Sequence, residues 1–170
     1  MADGKDLTQP EKKNLAANKA KQFEAIHSLL IPVNREILLL PNAAVAEIVP
    51  YQQPETAESA PEWFLGYISW RDRRLPMISF ELASGVEPGK IHKNCRIAIL
   101  NTLNGSNQLP YIAVLMQGLP SLQVVKPDSV QIDQAQESRN SVKACVRVNG
   151  TDALIPDLDD LESRITRLHA

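Results

Sequence analysis

The sequence predicts an all-β fold that ends in one short helix. Apolar runs of strand length recur along the chain and are separated by Pro, Gly and Asn residues. Only the last segment spaces its apolar residues as a helix does, and strands do not alternate with long helices. Short strands at this density favour small closed barrels over one broad open sheet.

Composition limits the classes of partner. A chain of 170 residues suits one compact domain, or two small subdomains that share a core. The formal net charge of −2 disfavours nucleic acid, because proteins that bind a polyanion usually carry excess positive charge. No stretch resembles a signal peptide or reaches the length of a membrane span, about 20 apolar residues. We therefore expect a cytoplasmic protein without direct membrane insertion.

The first part of the chain divides into a tail, a hairpin and a loop. Residues 1–21 are polar and have too few apolar groups to repay ordering, so we predict a flexible tail, with a single folded domain over residues 22–170. "FEAIHSLLIPVN" and "REILLLP" predict a hairpin around Asn34 and Arg35. "NAAVAEIVPY" predicts one helical turn or an irregular strand, and "QQPETAESAPE" predicts a loop.

A second hairpin joins "WFLGYISW" to "LPMISF" through the charged residues "RDRR". A two-residue turn at Asp72 and Arg73 would place Trp70 opposite Leu75, with Arg71 at the tip. Two interpretations of this tip compete. Charged hairpin ends are usually only solvated, whereas guanidinium groups can grip carboxylates or phosphates through paired hydrogen bonds. The adjacent tryptophan favours an interface, because Trp and Arg anchor many protein contacts.

The remaining segments predict further strands and the closing helix. "CRIAILNT" and "LPYIAVLMQG" read as strands, and "LQVVKPDSVQI" reads as an extended segment broken at Pro127. Asn149 and Gly150 mark a hairpin turn within "VKACVRVNGTDALIPDL". The helix follows from four apolar residues at helical spacing, Leu158, Leu161, Ile165 and Leu168.

The sequence carries no pattern typical of catalysis or metal binding. It has no GxSxG, P-loop or GxGxxG motif. Cys95 and Cys145 lie singly in strand-like runs, which predicts buried free thiols, and the histidines are widely scattered. The acids of "PDLDDLE" could surround a metal, but acids in a first helical turn stabilise the helix end without one. We expect no enzyme activity, no metal and no cofactor.

Four segments together resemble the CheW-like domain family. "EWFLGYISWRDRRLPMISFEL" is similar to the family hairpin, in which an apolar strand with a Gly leads to Leu-Arg-Gly and then to a Pro-containing strand. "LLIPVNREILLLPNAAVAEIV" resembles the opening hairpin and the Val-x-Glu-Ile segment. "LPYIAVLMQGLPSLQVV" and "DALIPDLDDL" resemble a later strand and the closing strand with its helix start. The matches keep their order and spacing over residues 24–162.

The resemblance implies two small interlocked SH3-like five-stranded β-barrels with a short C-terminal helix. It also implies a non-enzymatic adaptor that couples the cytoplasmic tips of methyl-accepting chemoreceptors to the regulatory domain of a CheA-type histidine kinase. The pathway would be flagellar chemotaxis or type IV pilus motility. The protein-binding residues that the resemblance implies are Val45, Glu47, Ile48, Gly66 and Arg71. Trp70 and Asp72, beside Arg71 at the hairpin tip, complete the predicted set.

Several residues depart from the family pattern and keep other functions open. Asp72 stands where the family usually has Gly, and we expect its charge to hold the Arg71 guanidinium internally. Ser79 and Gln117 stand near positions where the family usually has Asp. These departures suggest a divergent paralogue of the family. Asp72 also suggests the alternative of a regulatory or decoy member that binds the kinase but not receptors. A small hydrolase or phosphate-binding enzyme that uses the Arg tip with Asp157 is the third hypothesis, and no spacing supports it.

Overall fold

The computed structural model describes residues 25–136 and 138–169, and the predicted tail lies outside the described residues. Its elements confirm the predicted all-β class with a C-terminal helix. The strands are β1 Ile26–Pro32, β2 Ile37–Pro41, β3 Val45–Pro50, β4 Phe64–Trp70, β5 Arg73–Ile78, β6 Arg96–Asn101, β7 Tyr111–Met116, β8 Ser121–Val125, β9 Val130–Ile132, β10 Val142–Val148 and β11 Thr151–Pro156. The helices are α1 Phe80–Ala83 and α2 Leu158–Leu168.

One sheet has the strand order β8-β1-β2-β11-β10-β9. Its two edges, β8 and β9, are consecutive in sequence and are separated only by a 3-10 turn at Pro127–Ser129. Proline cannot donate to a ladder and ends the strand there. One bent segment therefore supplies both edges, and the sheet curls into a closed barrel in which β8 and β9 act as one bent strand; it is called the six-stranded barrel below.

The second sheet has the order β3-β6-β7-β5-β4. The chain beyond β3 returns to the opposite edge, where Glu55 and Tyr67 exchange two backbone hydrogen bonds with N···O distances of 2.8 and 2.9 Å. Gly66 makes this approach possible: its φ is +127°, and a Cβ there would lie 2.1 Å from the carbonyl oxygen of Glu55. The second barrel, called the five-stranded barrel below, thus closes at a position that only glycine fits.

Three groups of buried side chains hold the molecule together. One fills the five-stranded barrel and includes Ile68, Leu75 and Met77. A smaller one fills the six-stranded barrel, and the largest lies between the two sheets. That shared core draws on both barrels and on α2, with Ile31, Leu38, Phe80, Met116, Leu161 and Ile165 among its most buried members. The two barrels are therefore interlocked by one common core.

The C-terminal helix matches its predicted pattern except at its end. Leu158, Leu161 and Ile165 are buried, whereas Leu168 is 41% exposed. The carboxylate of Asp157 accepts a hydrogen bond from the backbone N–H of Asp160 at 3.1 Å, so it caps the helix as acids in a first turn should. Among the described residues, no group of three or more His, Cys, Asp or Glu side chains is arranged to hold a metal. Within that part of the chain, no helix has the length and apolarity to cross a membrane.

Candidate protein-interaction site

The hairpin of β4 and β5 ends in a two-residue turn at Arg71 and Asp72. Both residues are left-handed, with φ of 45° and 58°. Such a turn follows the natural twist of the two strands. Trp70 pairs with Arg73, so the predicted turn at Asp72 and Arg73 is wrong by one residue.

The observed register pairs Ile68 with Leu75 and Gly66 with Met77, and all four residues are buried. The predicted turn would have paired Ile68 with Met77, which keeps the same side chains on the inner face of the hairpin. The alternation of apolar residues therefore could not distinguish the two turns. In the observed turn, Arg71 and Asp72 both lie at the exposed tip.

Glu47 on β3 connects the tip to the neighbouring strand. Its Oε2 accepts a hydrogen bond from the Trp70 indole N–H at 3.0 Å and forms an ion pair with the Arg71 guanidinium at 2.9 Å. The guanidinium carbon of Arg71 lies 4.7 Å from the centre of the Trp70 ring. The structure thus brings together three of the predicted binding residues, one from β3, one from β4 and one from the hairpin turn.

Arg71 does not pair with Asp72, contrary to the expectation from sequence. Its partner is Glu47, and the Arg71 side chain is still 70% exposed. An ion pair this exposed contributes little to stability, typically about 0 to 1 kcal/mol, because water and salt screen it. The guanidinium is therefore oriented but available, and Asp72 leaves its carboxylate on the surface beside it.

The other predicted residues divide between surface and interior. Val45 and Ile48 are half-buried on β3, where they pack against the shared core. Gly66 is fully enclosed by the backbone of Glu55, so it shapes the barrel and offers no contact surface. The exposed parts of the site are consequently the hairpin tip and the outer side of β3.

Two contributors to this site were not found from sequence. The ring of Tyr111 packs edge-on against Trp70, with centroids 4.9 Å apart, and so fixes the indole that supports Arg71. The side chain of Gln52 donates to the carbonyl of Ser69 at 3.1 Å and ties the chain beyond β3 to β4. Both contacts join residues far apart in sequence, so no local pattern could indicate them.

The groups with shifted pKa values lie away from the hairpin tip. Hydrogen bonding to Glu36 raises the pKa of Arg139, and the Arg147 guanidinium lowers the pKa of the Asp152 carboxyl. Burial raises the pKa of the Cys145 thiol, which agrees with the predicted buried free cysteine. None of these groups belongs to the predicted binding residues.

Comparison with known proteins identifies a family and a fold that this chain resembles. A family model described as the CheW-like domain matches residues 27–165. The crystal structure of the scaffolding protein TtCheW from Thermoanaerobacter tengcongensis is similar, with a TM-score of 0.66 and 16% sequence identity over 78% of this chain and 88% of that chain. No curated protein matches the chain significantly. The structural similarity shows a shared fold. The family model matches most of the sequence and so shows the family.

Proposed function

Because the chain belongs to the CheW-like domain family, we propose that it is a non-enzymatic scaffold or adaptor of a bacterial chemosensory pathway. It would couple the cytoplasmic tips of chemoreceptors to the regulatory domain of a CheA-type histidine kinase. Nucleic acid has no part in this proposal. The pathway would control flagella or type IV pili.

One observation carries the proposal beyond the family match. Arg71 lies at an exposed hairpin tip, where Glu47 and Trp70 orient it without covering it. An arginine held in one geometry loses less side-chain entropy when it binds a carboxylate, so such a residue suits a docking contact. The half-buried Val45 and Ile48 on the adjacent strand would add apolar contact area.

The hairpin tip is tested by titrating the protein against the isolated regulatory domain of a CheA-type kinase from the same genome. We expect saturable binding, and we expect Arg71→Ala to weaken it by about 2 kcal/mol, a factor of roughly 30 in Kd. Arg73→Ala is the matched control, because Arg73 is exposed on the same hairpin and lies outside the Glu47 contact.

Three outcomes are informative. Loss of affinity in Arg71→Ala alone supports the tip as the kinase contact. If both variants bind the kinase domain with wild-type affinity, Arg71 lies outside the kinase interface, and we would then assign it to a receptor contact. Absence of binding by the wild-type protein to every CheA-type kinase of the genome would contradict the adaptor proposal.

A second candidate function follows from Asp72. Its carboxylate adds negative charge at the tip beside Arg71, at a position where the family usually has Gly. A regulatory or decoy protein would bind the kinase and not the receptors. Receptor pull-down by the wild-type protein and by Asp72→Gly separates the two. Recovery of receptors only with Asp72→Gly favours the decoy, and equal recovery favours the coupling adaptor.

A further inference from the structure

A cavity of about 360 Å³ lies where the β1–β2 turn meets the five-stranded barrel. Its lining includes none of the residues proposed for partner docking. The volume falls in the range of small-molecule sites, about 300 to 1,000 Å³. Apolar side chains from several parts of the second barrel form its walls, chiefly Tyr51, Pro54, Leu65, Leu82, Ile91 and Leu115.

A buried carboxylate lies at one side of this cavity. Glu81 is only 2% exposed, and its two oxygens accept hydrogen bonds from the backbone N–H of Asn34 at 2.7 Å and from the hydroxyl of Ser79 at 2.8 Å. Both donors are neutral. A buried charge is costly unless it is paired, and the cavity lining contains no lysine, arginine or histidine to pair with it.

The amide of Asn34 is a second polar group at the same place. Its nitrogen is buried and has no hydrogen-bond partner among the described residues. Gly89 packs directly on this amide, since a Cβ at Gly89 would lie 2.1 Å from the amide nitrogen. The chain therefore encloses the amide and holds it next to Glu81 without satisfying it.

Two other amide side chains of the lining use their oxygens in hydrogen bonds. The Gln53 side-chain oxygen accepts from the Tyr51 hydroxyl at 3.2 Å, and that of Gln117 accepts from the backbone N–H of His92 at 2.9 Å. Glu81 is the one carboxylate among the residues that line the cavity. Apolar walls with one anionic end complement a ligand that has an apolar body and a cationic head.

We propose that this cavity binds a small organic ammonium compound, with Glu81 as its counter-ion. The ammonium group donates hydrogen bonds to the Glu81 carboxylate, and the apolar body occupies the space between the Leu and Pro side chains. This site is separate from the adaptor proposal, because it involves no kinase or receptor.

The test uses the full chain and three probes of nearly equal size. Backbone amide NMR spectra are followed at neutral pH during titration with 2-phenylethylammonium, 2-phenylethanol and phenylacetate. We expect the ammonium probe to shift the amide signals of Asn34, Leu82 and Gly89 and to bind at least about tenfold more tightly than the alcohol, with no saturation by phenylacetate. Equal binding of ammonium and alcohol, or no binding of the ammonium probe, overturns the proposal.

Two variants locate the ligand. Glu81→Gln keeps the shape and removes the charge, so the preference for the ammonium probe over the alcohol should disappear. Ile91→Arg places a cation at the mouth of the cavity, where Ile91 is 59% exposed, and should abolish binding without disturbing the core. Leu103→Arg is its matched control, because Leu103 is 60% exposed and is not part of the lining. Unchanged ammonium binding in Ile91→Arg overturns the assignment to this cavity, even if Glu81→Gln fails to fold.

Discussion

At the scale of single residues, one carboxylate organises the proposed docking surface. Glu47 receives both the Trp70 indole and the Arg71 guanidinium, and so it connects β3 to the hairpin tip. The family pattern in the sequence pointed to Glu47 and Arg71, and the frequency of tryptophan at protein interfaces pointed to Trp70. The sequence did not indicate that Arg71 would pair with Glu47 and not with Asp72, because that pairing depends on which two residues take left-handed φ at the turn.

A substitution at Gly66 tests how the five-stranded barrel closes. Gly66→Ala should lower the free energy of unfolding by about 2 to 4 kcal/mol, because the new Cβ collides with the backbone of Glu55 and the φ of +127° strains any side chain. Gly85→Ala is the matched control: its φ is +82°, but a Cβ there meets no atom within 4 Å, so we expect a loss of only about 1 kcal/mol. Urea unfolding measures both values, and equal losses would exclude the collision.

At the scale of elements, α2 is attached to the second barrel by more than its apolar face. Glu162 is 4% exposed and accepts hydrogen bonds from the backbone N–H groups of Leu103 and Asn104 and from the Asn104 side chain. The helix itself was predictable, because its apolar spacing is local. The role of Glu162 was not, because its partners lie 58 and 59 residues away in sequence.

Glu162→Ala should therefore destabilise the protein, although alanine favours helix formation. We expect a loss of about 2 to 3 kcal/mol, because three donors lose a charged acceptor in a partly buried place. Glu58→Ala, in an exposed loop, should change the free energy of unfolding by less than about 0.5 kcal/mol. Thermal unfolding of both variants provides the comparison, and a neutral Glu162→Ala would mean that water replaces the carboxylate at no cost.

At the scale of the whole molecule, the shared core predicts that the two barrels unfold together. Side chains from both sheets and from α2 pack into one cluster, so neither barrel can open without exposing the other's interior. The sequence indicated the strands, because their apolar runs are local. It did not indicate the strand order, in which β2 pairs with β11 at Leu38 and Leu154, because long-range pairing leaves no local trace.

The two cysteines report on this cooperativity. Cys95 packs in the five-stranded barrel and Cys145 in the shared core, and both are buried. We expect both thiols to react with N-ethylmaleimide at similar slow rates, set by global unfolding, with parallel acceleration in low urea. Peptide mapping after timed labelling measures both sites in the same molecules, and much faster labelling of one thiol would show that its region opens alone.

The Cys145 thiol makes the stability of the protein depend on pH in the alkaline range. Burial raises the pKa of Cys145 in the folded state, so the folded protein holds its thiol proton more tightly than the unfolded chain does. This stabilisation is fully present below the ordinary thiol pKa and is lost as the pH rises through the folded-state value. The free energy of unfolding should fall above about pH 9, and Cys145→Ala should flatten that fall.

The order of strands along the chain also sets the order in which the protein can be built on a ribosome. The five-stranded sheet uses residues 45–116 without interruption, and β1 and β2 precede it. The partner that covers β2, β11, is synthesised only after residue 150. Leu30 and Leu39, which pack against Val146, Val148 and Ala153, must therefore stay uncovered while one complete barrel emerges behind them. Nascent chains halted before β11 should bind chaperones through the first hairpin, and chains released after it should not.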